Sequence, residues 1–483
     1  MSNFSVVLSK LMDQKGLESK DVISYTGINR STFFKIRSGT RSPSGLEMIE
    51  KIAIALRLDE EDRTMLFEAY EIDQIGPYKY YGMKAVEKFF QAEGRLSEMP
   101  AMTIKIPQFP IDKTMQVFRD STEVTSLIYG MLNEKSSQIM IMENGMSDVY
   151  INGIAQASAA NKDTEFHHIF LMDSTETVGI NHQLYNIECF CNVVEIINRT
   201  SRYYPRYYYS PVAAFANKRQ LTNFILNDRF LLTYSDGLKM AILYRDPDVL
   251  ELYREIFDEA RGKSVCFVEA MGQAGFTQEF VLSTLLEDTD DIVYSFCPEP
   301  CCPLAVEGNE EWIQQYIGDN FPGKEAFVHE YILYAKRFRD VVKENADRWH
   351  VICASNALKQ FAKTGYINEF PRDRVSEFPK EFRSAMLRLW RLKAEEYNVK
   401  SVKGHTISDT SSICAFVSRR KAILTFMNEQ TGLNIHIGVS EPSIVGFIYG
   451  YLEKIEREDA MGREEYRAFI NGLIAELGAK GDD

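Results

Sequence analysis

The sequence predicts a multidomain chain, with an all-α helix-turn-helix head followed by two similar α/β units of mixed sheet. Three observations carry that expectation. At 483 residues the chain is too long for a single core, and about two or three domains are expected. Its first seventy or so residues read as amphipathic helices throughout. Two later stretches, 224–261 and 416–456, echo one another as strand, hairpin turn, strand and helix.

The head reads element by element. A first helix is predicted from Phe4 to Gln14. Ser19 stands where an N-cap would start a short helix, Lys20 to Tyr25, with Val22 and Ile23 pointing inward. Thr26-Gly27-Ile28 makes the turn, with Gly27 where the backbone needs a positive φ. The next helix, Arg30 to Ser38, stops at Gly39. Phe33 and Ile36 share its inner face, while Arg30, Ser31, Thr32, Lys35 and Arg37 fall elsewhere. After Thr40-Arg41-Ser42-Pro43 comes a longer helix with Leu46, Ile49, Ile52, Ala53 and Leu56 at core spacing. A fifth helix runs from Asp59 to Tyr70.

Charge adds a direction to this head. The first seventy residues balance, with ten Lys/Arg against ten Asp/Glu, yet between Ile28 and Gly45 lie Arg30, Lys35, Arg37 and Arg41 and no acid. Phosphate contacts need that local asymmetry rather than a basic whole domain. The segment resembles the Cro and lambda-repressor-type (XRE) helix-turn-helix family over about residues 4 to 70. Its markers are Lys15-Gly16-Leu17, Thr26-Gly27-Ile28, Ser31-Thr32, Ile36, Gly39, Pro43 and Lys51-Ile52-Ala53 with Leu56. Two residues depart from the pattern. Ile23 replaces the usual small residue where the two central helices touch, and Arg37 stands where an acid is common.

The resemblance implies sequence-specific binding of a double-stranded DNA operator. In such motifs the N-terminal half of the second central helix reaches base edges. Arg30 is then placed to pair bidentately with guanine, Ser31 with either base type, and Lys35 one turn further along the groove. By the resemblance, Ser19, Ser38, Thr40 and Arg41 hold phosphate-side positions that set register. Thr32 and Arg37 complete the expected DNA-facing set. Phe34 either touches a thymine methyl or packs on a neighbouring helix. One such head makes too few contacts for tight binding, so a homodimer on paired half-sites is expected.

The formal charge of −14 falls entirely on residues 71–483, because the first seventy are neutral. An acidic remainder argues against a second nonspecific DNA-binding surface. There is no apolar run of about eighteen residues and no secretion-signal pattern at the N-terminus, so no membrane span is expected. Eight scattered cysteines form no small-domain disulfide framework, and the expected compartment is the reducing cytoplasm.

The echo in the remainder is specific in places. Leu231-Leu232-Thr233-Tyr234 matches Ile423-Leu424-Thr425-Phe426, Gly237-Leu238 matches Gly432-Leu433, and Asp246-Pro247 matches Glu441-Pro442. Each proline fits a first helical position with an acid before it. Val249, Leu252, Tyr253 and Ile256 are expected to be the buried face of one helix, and Ile444, Phe447, Ile448 and Tyr451 that of the other. Upstream, Glu123 to Met142 is matched to Phe276 to Phe296, and Ile169 to Met172 to Val351 to Cys353. The predicted domains are residues 1–72 (head), 73–104 (an aromatic connecting helix, roughly Tyr78 to Gln91), 105–263 and 264–457 (the α/β units), and 458–483 (a charged C-terminal helix and tail).

The closing pattern of each unit is faintly similar to the phospholipase-D-like domains fused to some transcriptional regulators. That enzyme family's H-x-K-x-x-x-x-D signature is absent: no histidine among His167, His168, His182, His329, His350, His405 and His436 has Lys two positions later. What the resemblance implies is a catalytically dead module that keeps a binding pocket, sensing a small molecule or protein effector. No Walker loop, G-x-G-x-x-G, G-x-S-x-G or H-E-x-x-H occurs, and neither an enzyme nor a cofactor is expected; the alternative readings are an enzyme with an autoregulatory DNA-binding head and a protein-interaction adaptor.

Four local compositions are candidates for chemistry. Arg202, Tyr203, Arg206, Tyr207 and Tyr209 could cradle an aromatic or anionic ligand by stacking and bidentate contacts; alternatively the tyrosines cover a strand edge. Cys297, Cys301 and Cys302 crowd one proline-rich loop and could bind zinc or form a redox switch, although no nearby Cys or His supplies a fourth zinc ligand. His167 and His168 precede an apolar strand and read as its end, with no metal role. Arg383, Arg388, Arg391 and Lys393 read as the solvated face of a helix whose Leu387 and Trp390 enter the core.

Overall fold

The computed structural model describes residues 2–92, 113–144, 148–174, 184–200, 202–210, 221–271, 292–297, 304, 307, 311–318, 323–367, 376–403, 413–427 and 434–479. Two compact units divide the chain, one holding the first 84 residues and the other the α/β body from Ala85 on.

The head is helical: α1 (Asn3–Lys15), α2 (Ser19–Thr26), α3 (Arg30–Arg37), α4 (Leu46–Ala55) and α5 (Glu60–Ile75), followed by α6 (Pro77–Ala92). Phe4, Leu8, Leu11 and Met12 from α1 meet Val22, Phe33, Ile36, Ile49, Ile52, Ala53, Leu56 and Leu66 in one core. Full burial of each large side chain contributes about 1.5–3 kcal/mol, and that common core fixes the angle between α2 and α3. Leu46 is the exception among the predicted core positions, 55% exposed. It is the first residue of α4, and its side chain tilts toward the helix N-terminus, beyond the core. Helix α5 clamps α1 at both ends. Asp73 accepts from the backbone N–H groups of Asn3 (2.8 Å) and Phe4 (2.9 Å), and Lys15 reaches Asp62 at 2.9 Å.

Two predicted details of the turn are settled by backbone accounting. Gly27 has φ 69°, as the turn demands. The N-cap of α2 is Glu18 rather than Ser19: Glu18 and Asp21 form a reciprocal capping box, with Asp21 accepting from the Glu18 N–H at 2.9 Å. A box satisfies two orphan donors where a single serine satisfies one, so Ser19 moves into the helix and is buried.

The body contains two mixed sheets. The first is built from β1 (Met115–Phe118), β2 (Gln138–Glu143), β3 (Glu165–Asp173), β4 (Tyr203–Ser210), β5 (Asn223–Leu226), β6 (Leu231–Tyr234), β7 (Ala241–Tyr244) and β8 (Val265–Cys266), in the order β1-β7-β6-β5-β2-β3-β4-β8. Helices α7 (Ser121–Asn133), α8 (Asp148–Ala160), α9 (Tyr185–Arg199) and α10 (Pro247–Lys263) accompany it. The second sheet takes β9 (Val268–Met271), β10 (Val293–Cys297), β11 (Trp349–Ala354), β12 (Val399–Val402), β13 (Cys414–Val417), β14 (Ala422–Met427) and β15 (Asn434–Val439). Its helices are α11 (Glu311–Tyr316), α12 (Lys324–Glu344), α13 (Ser355–Thr364), α14 (Lys380–Glu396), α15 (Pro442–Asp459) and α16 (Arg463–Ala479).

The second sheet runs β9-β15-β14-β13-β10-β11-β12, which is the order of β1 to β7 in the first with eight added to each label; β8 has no counterpart among the described residues. The senses agree pair by pair. β2, β3 and β4 are mutually parallel, as are β10, β11 and β12, and the remaining shared neighbours are antiparallel.

The pairing corrects the predicted match by one residue. Both hairpins turn on a side-chain acceptor: Asn227 Oδ1 takes the amides of Arg229 and Phe230, and Ser418 Oγ those of Arg420 and Lys421. With Asn227 set on Ser418, Leu232 falls on Ile423, and the cross-strand partners Leu243 and Gly438 keep Asp246 on Glu441. Matching Leu231 to Ile423 rewards apolar likeness but places side chains on the opposite face, since strand side chains alternate. Most of the predicted counterpart from Phe276 to Phe296 lies outside the described residues, as do Gly432 and Leu433.

Two predicted faces also change. On α10 the buried residues are Leu250 and Phe257, with Val249 and Tyr253 partly covered, whereas Leu252 and Ile256 are exposed. α15 buries Ile444, Phe447, Ile448 and Tyr451 as expected. On α14, Arg383 is not solvated: it is buried and donates to the carbonyls of Ala362 (2.8 Å) and Lys363 (2.9 Å) and to Glu377 (2.8 Å). A guanidinium there satisfies orphan acceptors in the last turn of α13. Lys393 pairs with Glu307 and Glu396. Among the described residues no helix is long and apolar enough to cross a membrane.

Candidate nucleic-acid interface

Helix α3 starts on Asn29, whose side-chain oxygen accepts from the Ser31 N–H at 2.9 Å. Phe33 and Ile36 anchor the helix in the head core, so its opposite side faces out. Arg30, Ser31 and Lys35 are exposed there and Thr32 is half-buried. The Arg30 guanidinium lies 5.7 Å from the centre of the Phe34 ring. Phe34 is itself 44% exposed, its ring beneath the Arg30 guanidinium of the same helix.

The other predicted contacts separate into two groups. Ser38 and Thr40 both donate to the Lys35 carbonyl at 3.1 Å, closing the C-terminal end of α3, with Arg41 exposed just beyond. Arg37 and Ser19 turn toward one another: Arg37 Nη1 donates to Ser19 Oγ at 2.7 Å. The sequence places each of them toward DNA, and the structure makes them a brace between α2 and α3. Asn29 was missed, although an Asn two residues before a Ser at a helix start is a capping signal.

The tyrosine-rich strand does not gather its five predicted ligand residues. In β4 alternation puts Tyr203, Tyr207 and Tyr209 on one face and Arg206, with Arg202 before the strand, on the other. Arg206 donates to Ser264 Oγ (2.9 Å) and to the Ser264 carbonyl (2.6 Å); Arg202 reaches the Asp163 carbonyl and Glu165. Tyr209 donates to Glu441, the buried N-cap of α15, whose other oxygen accepts from Ile444 N–H (2.8 Å) and Ser443 Oγ (2.7 Å).

Tyr203 instead belongs to a buried polar cluster. Its hydroxyl lies 2.9 Å from His168 Nδ1, and His168 Nε2 lies 3.1 Å from Glu143 Oε1. Beside them the Tyr150 and Tyr234 hydroxyls are in hydrogen-bond contact. Burial pulls the His168 imidazole down to about 3 and pushes the three phenols well above their ordinary value, so the histidine is neutral and the tyrosines keep their protons. His168 thus lies inside β3 rather than ending a strand. Sequence gave no hint of the cluster, since its members come from five separate elements.

Among the described residues no group of three or more His, Cys, Asp or Glu is placed to hold a metal ion. Cys297 is buried at the end of β10, and Cys301 and Cys302 lie outside the described residues.

No curated protein matches the chain. Among solved structures, an archaeal chromatin protein that binds DNA, TrmBL2, is 14% identical and covers 49% of this chain and 83% of its own, with a TM-score of 0.23. A phosphatidylserine synthase from Haemophilus influenzae is 11% identical over 76% of this chain and 92% of its own, at a TM-score of 0.24. A polyphosphate kinase from Porphyromonas gingivalis is 9% identical over 75% of this chain and 55% of its own, at 0.22. Likenesses this low bear no weight on function. Residues 7–62 match the family model of the Cro/C1-type HTH DNA-binding domain, spanning α2, α3 and α4 entire. The head of this chain is a Cro/C1-type helix-turn-helix DNA-binding domain.

Proposed function

We propose that the chain is a transcription regulator that binds an operator as a two-fold dimer, with Arg30, Ser31 and Lys35 reading base edges. The observation that carries this reading is the outward side of α3, where these groups stand exposed in a segment without a single acid from Ile28 to Gly45. Thr32, Ser38, Thr40 and Arg41 flank them as register-setting positions, and the Arg37–Ser19 brace holds α3 at its angle to α2. Selection from a random DNA library with the full chain at physiological salt tests it. A symmetric motif with half-sites one helical turn apart is expected; no enrichment with either full chain or head would overturn it.

We infer that the body is a duplicated module that binds an effector rather than a catalyst. The shared strand order and the shared hairpin and helix caps support the duplication, and the missing H-x-K pattern supports the loss of chemistry. An effector acts on DNA binding only through different affinity for two arrangements of the heads. Phosphodiester hydrolysis that persists in an Arg30→Ala variant would argue for the enzyme reading instead.

A further inference from the structure

Arg30 and Phe34 stand one turn apart on the outer side of α3, and both are exposed. The Arg30 guanidinium lies over the Phe34 ring, 5.7 Å from its centre, and makes no hydrogen bond or ion pair among the described residues. Helix α5 repeats the spacing with a different outcome. Arg63 lies 5.5 Å from the centre of the Phe67 ring, but its Nη2 donates to Glu50 at 2.5 Å. Around α3 no acid is present from Ile28 to Gly45 to take the guanidinium in the same way. Arg30 therefore keeps a ring on one face, its N–H donors unused in the plane, and a second face open to solvent.

We propose that this pair reads a two-base step, a guanine preceded on its 5′ side by a 5-methylpyrimidine, either thymine or 5-methylcytosine. The inference rests on the reading of Arg30 as a base reader and adds a second base to it. Guanine O6 and N7 accept two N–H groups in the guanidinium plane. The C5 methyl of the pyrimidine 5′ to that guanine projects into the major groove beside the same plane, where it meets the open face. Phe34 is a positioning residue: its ring holds the guanidinium flat before DNA arrives. Pairing from a fixed orientation gives up less side-chain freedom than pairing from an unrestrained one. A pyrimidine without the methyl leaves the open face wet.

The test uses the full chain and the duplex obtained by selection. Arg30→Ala identifies the guanine, as the place where base preference relaxes. The base 5′ to it should be thymine, and deoxyuridine there should weaken wild-type binding about fourfold. At the same place 5-methylcytosine should exceed cytosine by a similar factor. Phe34→Ala should lower the preference for guanine about two- to fivefold, Phe34→Trp should keep it, and neither should matter in an Arg30→Ala background. The deoxyuridine and 5-methylcytosine comparisons use wild-type protein, so they decide even if a Phe34 variant misfolds. A purine 5′ to the guanine, equal binding of thymine and deoxyuridine, or a guanine preference untouched in folded Phe34→Ala overturns the two-base step and leaves Arg30 a single-base reader. Loss on every sequence alike in Arg30→Ala overturns the base reading itself.

Discussion

Arg37 Nη1 donates to Ser19 Oγ at 2.7 Å, so the last residue of α3 is held to the first residue of α2. The position where an acid is common carries a cation here, and the buried serine supplies its acceptor. Arg37→Ala should lower the stability of the head by about 1 kcal/mol. DNA binding should weaken similarly on specific and scrambled duplexes, because the helix angle and not a base contact is lost. Thermal unfolding and titrations on both duplexes check this. Loss confined to the specific duplex would make Arg37 a base reader.

Arg30→Ala should behave differently. A weakening of about 1–3 kcal/mol on the specific site, with relaxed preference at one base pair, is expected. Competition with single-base operator variants measures it. Equal loss on every sequence would move Arg30 to the phosphate side.

Acid should destabilise the body through its buried histidines. Burial lowers His168 from 6.5 to about 3 and His436 to about 4. An unfolded chain takes up these protons below pH 6.5 while the folded chain does not. Their contribution is therefore complete above pH 6.5 and is lost as pH falls through that value toward about 4 and 3. Urea unfolding from pH 7 to 4 should show the decline. His168→Gln should flatten it while costing stability at pH 7, because Tyr203 and Glu143 lose a partner.

Glu441 serves α15 and β4 at once. Glu441→Ala should cost about 1–2 kcal/mol from the lost cap alone. Tyr209→Phe removes only the hydroxyl of a residue that is 46% exposed, and should cost about 1 kcal/mol or less. Denaturant unfolding separates the two. A Tyr209→Phe loss as large as that of Glu441→Ala would mean that the bridge matters more than the cap.

Local features of this protein are legible from residue order. Gly27 at the turn, the prolines at helix starts and the spacing of Phe33 and Ile36 are set by backbone sterics and helix period, which act over a few residues. The charge asymmetry from Ile28 to Gly45 is equally local, and with it the acid-free outer side of α3. Tertiary structure alone decided what depends on partners distant in the chain. The one-residue shift between the two hairpins follows from cross-strand pairing, and apolar likeness cannot see which face a side chain takes. Arg37 finds Ser19, Arg383 finds the end of α13, and Glu143, Tyr150, His168, Tyr203 and Tyr234 meet only after the strands assemble. Leu252 and Ile256 carry the same apolar period as Phe447 and Tyr451; only packing leaves one pair open and buries the other.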